Sequence, residues 1–201
     1  MRWIWIRHGE TEANRAKRYS GHLDEPLTEM GKRQAVRLSH QLAKKGLDAI
    51  YASDLQRCVD TAQVIAAAHP TLTVHATPAL RECSFGAWEG KTYEELMRTD
   101  AEQVGKWLDN PFFHAPPGGE TLHDLDRRLL AWVREAEQRH QGGTVCVVSH
   151  GGPLRWFWAR MIRRDWACFW EPDLGPGQGW LVERAGTDWK VAKKLGDGQE
   201  E

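Results

Sequence analysis

Four consecutive apolar residues, Trp3-Ile4-Trp5-Ile6, run directly into Arg7-His8-Gly9-Glu10. A short apolar run near a turn signal reads as a strand buried on both faces. A second run, Thr144-Val145-Cys146-Val147-Val148, ends in the same way, on Ser149-His150-Gly151-Gly152. Two strands that each stop on His-Gly constrain the chain strongly. Open α/β sheets build their sites beyond the carboxyl ends of strands. Two such ends can set two imidazoles side by side, next to a cation and bare glycine backbone, and that is equipment for receiving a phosphate.

The remaining chain alternates helices and strands. After a polar loop from His8 to Pro26, Thr28 is placed to cap a helix with Ala35, Leu38 and Leu42 on one face, stopped by Gly46. Asp48 to Ala52 reads as a strand. A helix capped by Ser53 or Asp54 follows to about His69, and Leu72 to His75 reads as a short strand. Thr92 and Glu95 form a capping box that opens a short helix. Asn110 to Gly119, rich in proline and glycine, is a loop or lid. Thr121 and Asp124 start a long helix to about His140, with Leu122, Leu125, Leu129, Trp132 and Ala136 facing inward. Pro153 suits the first turn of another helix. Gly179 to Glu183 and Trp189 to Lys194 read as a closing pair of strands. The pattern predicts an α/β fold, a three-layer α/β/α sandwich with a mainly parallel central sheet. One domain over residues 1–195 is expected, with a disordered tail at 196–201.

Composition removes several function classes. The chain has 201 residues, with 27 Lys plus Arg against 28 Asp plus Glu and a formal net charge of -1. So balanced a chain is poorly suited to nucleic acid or to a membrane surface, and any cationic site must be local. No apolar segment is long enough to span a bilayer, and the N-terminus lacks a signal-peptide layout. Cys58, Cys83, Cys146 and Cys168 form no CxxC pair and read as reduced thiols of a cytoplasmic protein. The histidines form no HExxH pattern and no GxxxxGK[ST] loop is present, so neither a metal nor a nucleotide cofactor is expected.

Taken together, Arg7-His8-Gly9-Glu10-Thr11 with Asn14, Ser53 through Arg57, Glu82 and Ser149-His150-Gly151 resemble the motif set of the histidine phosphatase superfamily, the phosphoglycerate-mutase-like fold. Leu23 to Gly31 and Pro116 to Thr121 are also similar, and the likeness spans nearly the whole chain in the family's order. The resemblance implies a lid formed by insertions and a phosphomonoesterase acting through a phosphohistidine. His8 would be the nucleophile, neutral at its attacking nitrogen, with the other ring nitrogen donating to a backbone carbonyl that Gly9 lets approach. Arg7 and Arg57 would grip phosphate oxygens; on position alone Arg57 reads as a helix-surface residue. His150 would donate to a phosphate oxygen, best in its protonated form, and Gly151 belongs to the same phosphate-binding set. Asn14 would add a hydrogen bond, or else caps its loop. Glu82 would be the proton donor, partly desolvated so as to be protonated near neutral pH. Glu10 and Thr11 read as structural.

The substrate is a small-molecule phosphomonoester on this reading. Cofactor-dependent mutases carry Glu-Arg-x-Tyr-Gly around the proton donor, whereas this chain has Glu82-Cys83-Ser84-Phe85-Gly86, which favours a hydrolase over a phosphoglycerate mutase. Leu80 to Leu96 is similar to α-ribazole-5′-phosphate phosphatases of cobalamin assembly and to broad-specificity phosphatases. The first is favoured slightly; a non-catalytic phosphate-binding domain is the remaining alternative. Phe85, Trp88, Trp107, Phe112 and Phe113 either wall the leaving-group pocket or pack the lid. Lys17, Arg18 and His22 either border the entrance or belong to a solvated loop. Sequence leaves open whether exposed aromatics build a homodimer.

Overall fold

The computed structural model describes residues 1–196. A six-stranded sheet runs through it in the order β3-β2-β4-β1-β5-β6, made of β1 (Arg2–Arg7), β2 (Ala49–Ser53), β3 (Val74–Thr77), β4 (Thr144–Ser149), β5 (Gly179–Ala185) and β6 (Asp188–Leu195). β3, β2, β4 and β1 pair in parallel, and the closing hairpin β5–β6 adds two antiparallel strands beside β1. Helices cover both faces, as the alternating pattern predicts.

The pleat assigns the faces. On β1, Ile4 and Ile6 pack with Leu38 and Leu42 of α2 (Glu29–Leu42) and with Cys58, Ala62 and Ile65 of α3 (Gln56–Ala66). Trp3 and Trp5 point the other way. They pack with Leu125, Leu129 and Val133 of α6 (Leu122–Arg139) and with Trp156 and Phe157 of α7 (Gly151–Phe157). A third, smaller cluster lies outside these layers. Trp88, Leu96, Val104 and Trp107 form it, with Tyr19 and Phe85 packed against them. It holds together α4 (Tyr93–Thr99) and α5 (Ala101–Asp109), the segment inserted between β3 and β4.

The helix-start signals are physical where they succeed. Thr28 accepts from the Gly31 amide, and the Thr92–Glu95 and Thr121–Asp124 capping boxes are both formed. The start of α3 differs from expectation. Its N-cap is Leu55, without a side-chain cap bond. Asp54 is held instead by a bidentate pair with Arg81, Nε and Nη2 each 2.7 Å from a carboxylate oxygen. The free Gln56 amide is capped from a distant loop, by Asp24 Oδ1 at 2.7 Å.

Other differences are local. The expected loop from His8 to Pro26 contains a one-turn helix, α1 (Glu12–Arg15), because Thr11 and Asn14 form a capping box that keyed on Asn rather than Glu. The helix of β2's crossover stops at Ala66, short of His69, and β3 starts at Val74 rather than Leu72. On α6, Val133 takes the fully buried position and Trp132 is half-buried against the same cluster. Beyond α7 the chain continues as a π-helical turn, Trp158–Arg163, and a 3₁₀ turn, Trp166–Trp170, neither of which has a sequence signal. Of the expected tail, Gly196 donates its amide to Gln41 Oε1 at 3.0 Å, and 197–201 lie outside the described residues.

One close approach fixes the loop after β1 against α2. A Cβ on Gly31 would collide with the Glu10 backbone, and one on Gly9 with the Gly31 carbonyl. Gly31 lies inside a helix, where Ala is ordinarily the better residue by about 0.5–1 kcal/mol. Gly31→Ala is therefore expected to reverse that sign and destabilise by about 1–3 kcal/mol through overpacking. Urea unfolding decides it: a lower midpoint at unchanged m supports the contact, and a raised midpoint refutes it.

Candidate active site

Register brings the two histidines together. β1 and β4 pair in parallel with Arg7 opposite Ser149, so the next residues along each strand, His8 and His150, are neighbours. The His8 amide donates to the Ser149 carbonyl at 2.9 Å, and the imidazole centroids lie 5.1 Å apart at 65°. The connections then diverge. The chain leaving β1 packs α2 on one face and the chain leaving β4 packs α7 on the other. A crevice opens where they part, as open α/β sheets require.

His8 is 3% exposed, and its Nδ1 lies 2.7 Å from the Gly9 carbonyl oxygen. A carbonyl accepts, so Nδ1 carries the proton and Nε2 keeps its lone pair. Burial, followed by the charges of Arg57 and Arg7, holds its pKa well below the usual imidazole value. The ring is therefore held neutral, with the Nε2 lone pair available. Gly9 is tied to α3 through its amide, which donates to Thr61 Oγ1 at 3.1 Å.

His150 is 1% exposed, and the protonated form expected of it belongs to the site with a phosphate dianion bound. Burial and the charge of Arg57, then His8, Arg128 and Arg7, hold its pKa well below the usual value as well. Cys58 Sγ approaches the ring, 3.4 Å from Nε2, and burial pushes this thiol's pKa up, so it is a neutral neighbour.

The two predicted arginines are buried rather than superficial. Arg57, 1% exposed, donates Nη1 to the Leu23 carbonyl at 2.6 Å and Nη2 to the Gly21 carbonyl at 2.7 Å. Arg7 donates Nη1 to the Leu174 carbonyl at 2.7 Å. Burial lowers the Arg7 pKa from its ordinary value, with Glu82 opposing. In both arginines the buried Nε–H has no hydrogen-bond partner. An orphaned buried donor costs about 1–3 kcal/mol, and two of them beside a buried histidine make a site that favours an anion.

Glu82 sits at the mouth of this arrangement. Its Oε1 accepts from the Cys83 amide at 2.8 Å and its Oε2 from the Gly152 amide at 3.0 Å. A Cβ on Gly152 would overlap the carboxylate, so the second glycine of His-Gly-Gly makes room for Glu82. Asn14 caps its loop and also faces the cavity. Its Oδ1 accepts from the Thr11 amide in the capping box at 3.1 Å, which turns its NH2 donors outward, and the residue lines the cavity. Glu10 is structural as expected, accepting from the Thr28 hydroxyl at 2.8 Å.

A cavity of about 360 Å³ lies above these groups. Arg7, Asn14, Glu82 and Gly151 line it, whereas His8, Arg57 and His150 are buried behind that lining. Of the aromatic candidates, Phe85 and Trp107 reach the cavity wall. Trp88 is buried in the small insertion cluster, Phe112 packs edge-on against Trp166 at 4.6 Å, and Phe113 is 80% exposed and off the wall. Arg18 lines the cavity and is ion-paired with Glu95 at 3.0 Å. Lys17 and Arg18 are exposed, as a solvated loop requires, whereas half-buried His22 donates its Nε2 to the Glu82 carbonyl at 3.0 Å.

Several positioning residues carry no sequence signal of their own. Glu89 accepts from four backbone amides, those of Gly21, His22, Leu23 and Phe85, and so braces the loop that receives Arg57. Arg128 pairs with Glu120 through two nitrogens and also donates to the carbonyls of Ala79, Arg81 and Glu82. That clamp fixes the backbone carrying Glu82. Tyr19, Arg155, Phe169 and Trp170 join the cavity wall, and only the fold assembles them. Among the described residues, no cluster of three or more His, Cys, Asp or Glu is arranged to hold a metal, and no helix is long and apolar enough to cross a membrane.

Comparison with known proteins agrees with this geometry. The chain is 36% identical over 170 residues to phosphoserine phosphatase 1 of Hydrogenobacter thermophilus, covering 85% of this chain and 80% of that one. It is 35% identical over 171 residues to the adenosylcobalamin/alpha-ribazole phosphatase of Escherichia coli, covering 85% and 83%. The crystal structure of the alpha-ribazole phosphatase from Shigella flexneri superposes over 100% of both chains with a TM-score of 0.88 and 30% identity. The family model of the histidine phosphatase superfamily (branch 1) matches residues 3–195. The chain belongs to the histidine phosphatase superfamily, and its enzyme class is that of a phosphatase.

Proposed function

We propose that this chain is a metal-independent phosphomonoester hydrolase that works through a phosphohistidine on His8. The observation that carries this reading is the pair of orphaned, buried Nε donors on Arg7 and Arg57 beside an imidazole whose Nε2 is left free by the bond from Nδ1 to Gly9. A phosphomonoester dianion brings two negative charges and several acceptor oxygens. Two guanidinium groups balance the charge, and the orphaned donors gain partners. That positive charge does the work a metal ion does elsewhere.

The reaction divides into two balanced steps. His8 Nε2 attacks phosphorus in line, the P–N bond forms, the P–O bond to the leaving group breaks, and protonated Glu82 gives its proton to the departing oxygen. Glu82, then a carboxylate, takes a proton from water. The resulting hydroxide attacks phosphorus, the P–N bond breaks and inorganic phosphate leaves. His150, whose pKa burial and then the charge of Arg57 lower, becomes a stronger donor once a dianion offsets the neighbouring positive charge. Asn14 and the Gly151 amide supply the remaining donors, since the Gly152 amide is held by Glu82 and Pro153 has none.

For the leaving group, the favoured reading is α-ribazole 5′-phosphate. Its support is the aromatic wall, Tyr19, Phe85, Trp107, Phe169 and Trp170, which suits a planar base, together with the named relatives. A broader set of small phosphomonoesters is the second reading, favoured by the similarity to phosphoserine phosphatase 1. Phosphate release in excess EDTA, across α-ribazole phosphate, phosphoglycerates, sugar phosphates, nucleotides and p-nitrophenyl phosphate, tests both. The proposal expects turnover without metal and an acid-labile phosphoenzyme, both abolished in His8→Ala. Normal activity in that variant sinks the mechanism.

Glu82→Gln keeps the shape and removes the proton. It is expected to slow esters with poor leaving groups by about 10²–10⁴-fold and p-nitrophenyl phosphate far less. Equal losses across the series would remove Glu82 from the role.

The pH dependence has a definite sign. The His8 pKa is depressed, so the neutral nucleophile persists below the ordinary imidazole value of about 6.5. The acid limb of kcat/KM is expected to lie below that pH. A limb centred at or above it would show that His8 titrates as an exposed imidazole.

A further inference from the structure

The loop Gly21-His22-Leu23 is held from three directions. Its amides all donate to the Glu89 carboxylate, at 2.9, 2.9 and 3.2 Å. Its first and third carbonyls accept from Arg57, at 2.7 Å for Gly21 and 2.6 Å for Leu23. The imidazole between them reaches the Glu82 segment, with Nε2 3.0 Å from the Glu82 carbonyl oxygen. A carbonyl accepts, so Nε2 carries the proton. The two backbones also meet here, since a Cβ on Gly21 would collide with the Cys83 carbonyl oxygen. This loop therefore bridges the arginine that grips the phosphoryl group and the carboxyl group that moves the proton. The chemistry set out above uses Arg57 and Glu82 and gives His22 no part.

We propose that His22 is a positioning residue for Glu82: its Nε2–H bond to the Glu82 carbonyl sets the proton donor against a phosphoryl group held by Arg57. This rests on the hydrolase reading of the same site. A general acid works only within hydrogen-bond reach of the departing oxygen, and a misplacement of about 1 Å can cost about 10²-fold in rate. The bonds of the Glu82 carboxyl group do not fix that position by themselves. Its Oε1 accepts from the adjoining Cys83 amide, which moves with it, and its Oε2 accepts from Gly152 on α7. The backbone has to be placed from outside, as a functional group needs a supporting shell. Two donors converge on its carbonyl, Arg128 Nη2 at 2.8 Å and His22 Nε2. Arg128 ties Glu82 to α6 and to Glu120. His22 ties it to the loop that holds Arg57, and so relates the proton donor to the phosphate.

The test uses p-nitrophenyl, p-chlorophenyl and phenyl phosphates, which share a shape and differ in how much the leaving group needs a proton. His22→Ala is expected to lower kcat/KM by about 10–100-fold for phenyl phosphate and by no more than about threefold for p-nitrophenyl phosphate, so that the leaving-group dependence steepens. Competitive inhibition by inorganic phosphate, which reads the grip of Arg7 and Arg57, should stay within about threefold of wild type. Rescue isolates the bond. The amide nitrogen of Gln stands at the same bond distance from Cβ as the imidazole Nε2, and that of Asn falls short. His22→Gln should recover most of the lost rate on phenyl phosphate, and His22→Asn should not. An unchanged leaving-group dependence in His22→Ala overturns the proposal, as does equal behaviour of the Gln and Asn variants. Equal losses on every ester with weakened phosphate inhibition overturn it too, since His22 would then act on Arg57. The contrast between Gln and Asn decides even if the Ala variant folds poorly. No phosphate release from any of these esters by the wild type would instead bring down the hydrolase reading itself, and this inference with it.

Discussion

The in-register parallel pairing of β1 with β4 is the constraint on which the site depends. Because Arg7 stands opposite Ser149, each strand delivers its histidine at the same height. A one-residue slip would reverse every side chain on one strand. Trp3 and Trp5 would exchange faces with Ile4 and Ile6, and two differently shaped layers would have to repack. The indole-rich face takes large rings against α6 and α7; the aliphatic face takes Leu38, Leu42 and Ile65. Core packing thus guarantees a catalytic distance. The energy that holds the histidines 5.1 Å apart is spread over two hydrophobic layers, which is why a sheet positions such a pair more firmly than a loop could.

Around this pair the protein braces its irregular backbone with side chains and leaves selected side-chain donors bare. Glu89 takes four amides and Arg128 takes three carbonyls, so the irregular segments bearing Leu23 and Glu82 are over-determined. Arg57 and Arg7 are pinned by carbonyl acceptors at their Nη atoms, and the Nε donors are left over. A guanidinium fixed on one edge cannot turn to satisfy the other. Unmet donors of this kind are a standing cost that an oxyanion relieves, and they are preorganised because the ordering was completed when the loops folded.

How much of this was readable in the chain follows from the range of each interaction. Strands ending on His-Gly, capping boxes at Thr92 and Thr121, and the covered parallel sheet are local or periodic signals, and the structure reproduces them. The resemblance supplied Arg57, which position alone would have left on a helix surface. The N-cap of α3 was missed because Asp54 has a partner 27 residues away in Arg81, and no local rule weighs that competition. The lowered pKa of the His150 imidazole is not legible locally, because burial and then the charge of Arg57 set it, and both come from the assembled fold. Arg155 and Trp170 gave no signal: they lie on a short helix and on a 3₁₀ turn that follows a π-helical turn, and their meeting depends on that irregular path.

Chemistry and selectivity therefore sit on different kinds of structure. The phosphate-binding floor is built on strand ends and the first turns of helices, where a shift of one ångström would break packing on both sheet faces. The leaving-group wall is built from the insertion cluster, α7 and the turns beyond it, with Trp107 meeting Trp170 edge-on at 6.1 Å across the two segments. Tyr19, Phe85 and Trp107 pack in a cluster separate from the two sheet layers, whereas Leu122 and Phe169 belong to the indole-rich layer itself. A single floor can then serve relatives named for substrates as unlike as phosphoserine and α-ribazole phosphate. In this chain the wall combines flat aromatic surface from Phe85, Trp107 and Trp170 with the Arg155 guanidinium, and none of these side chains belongs to the strand ends that carry His8 and His150.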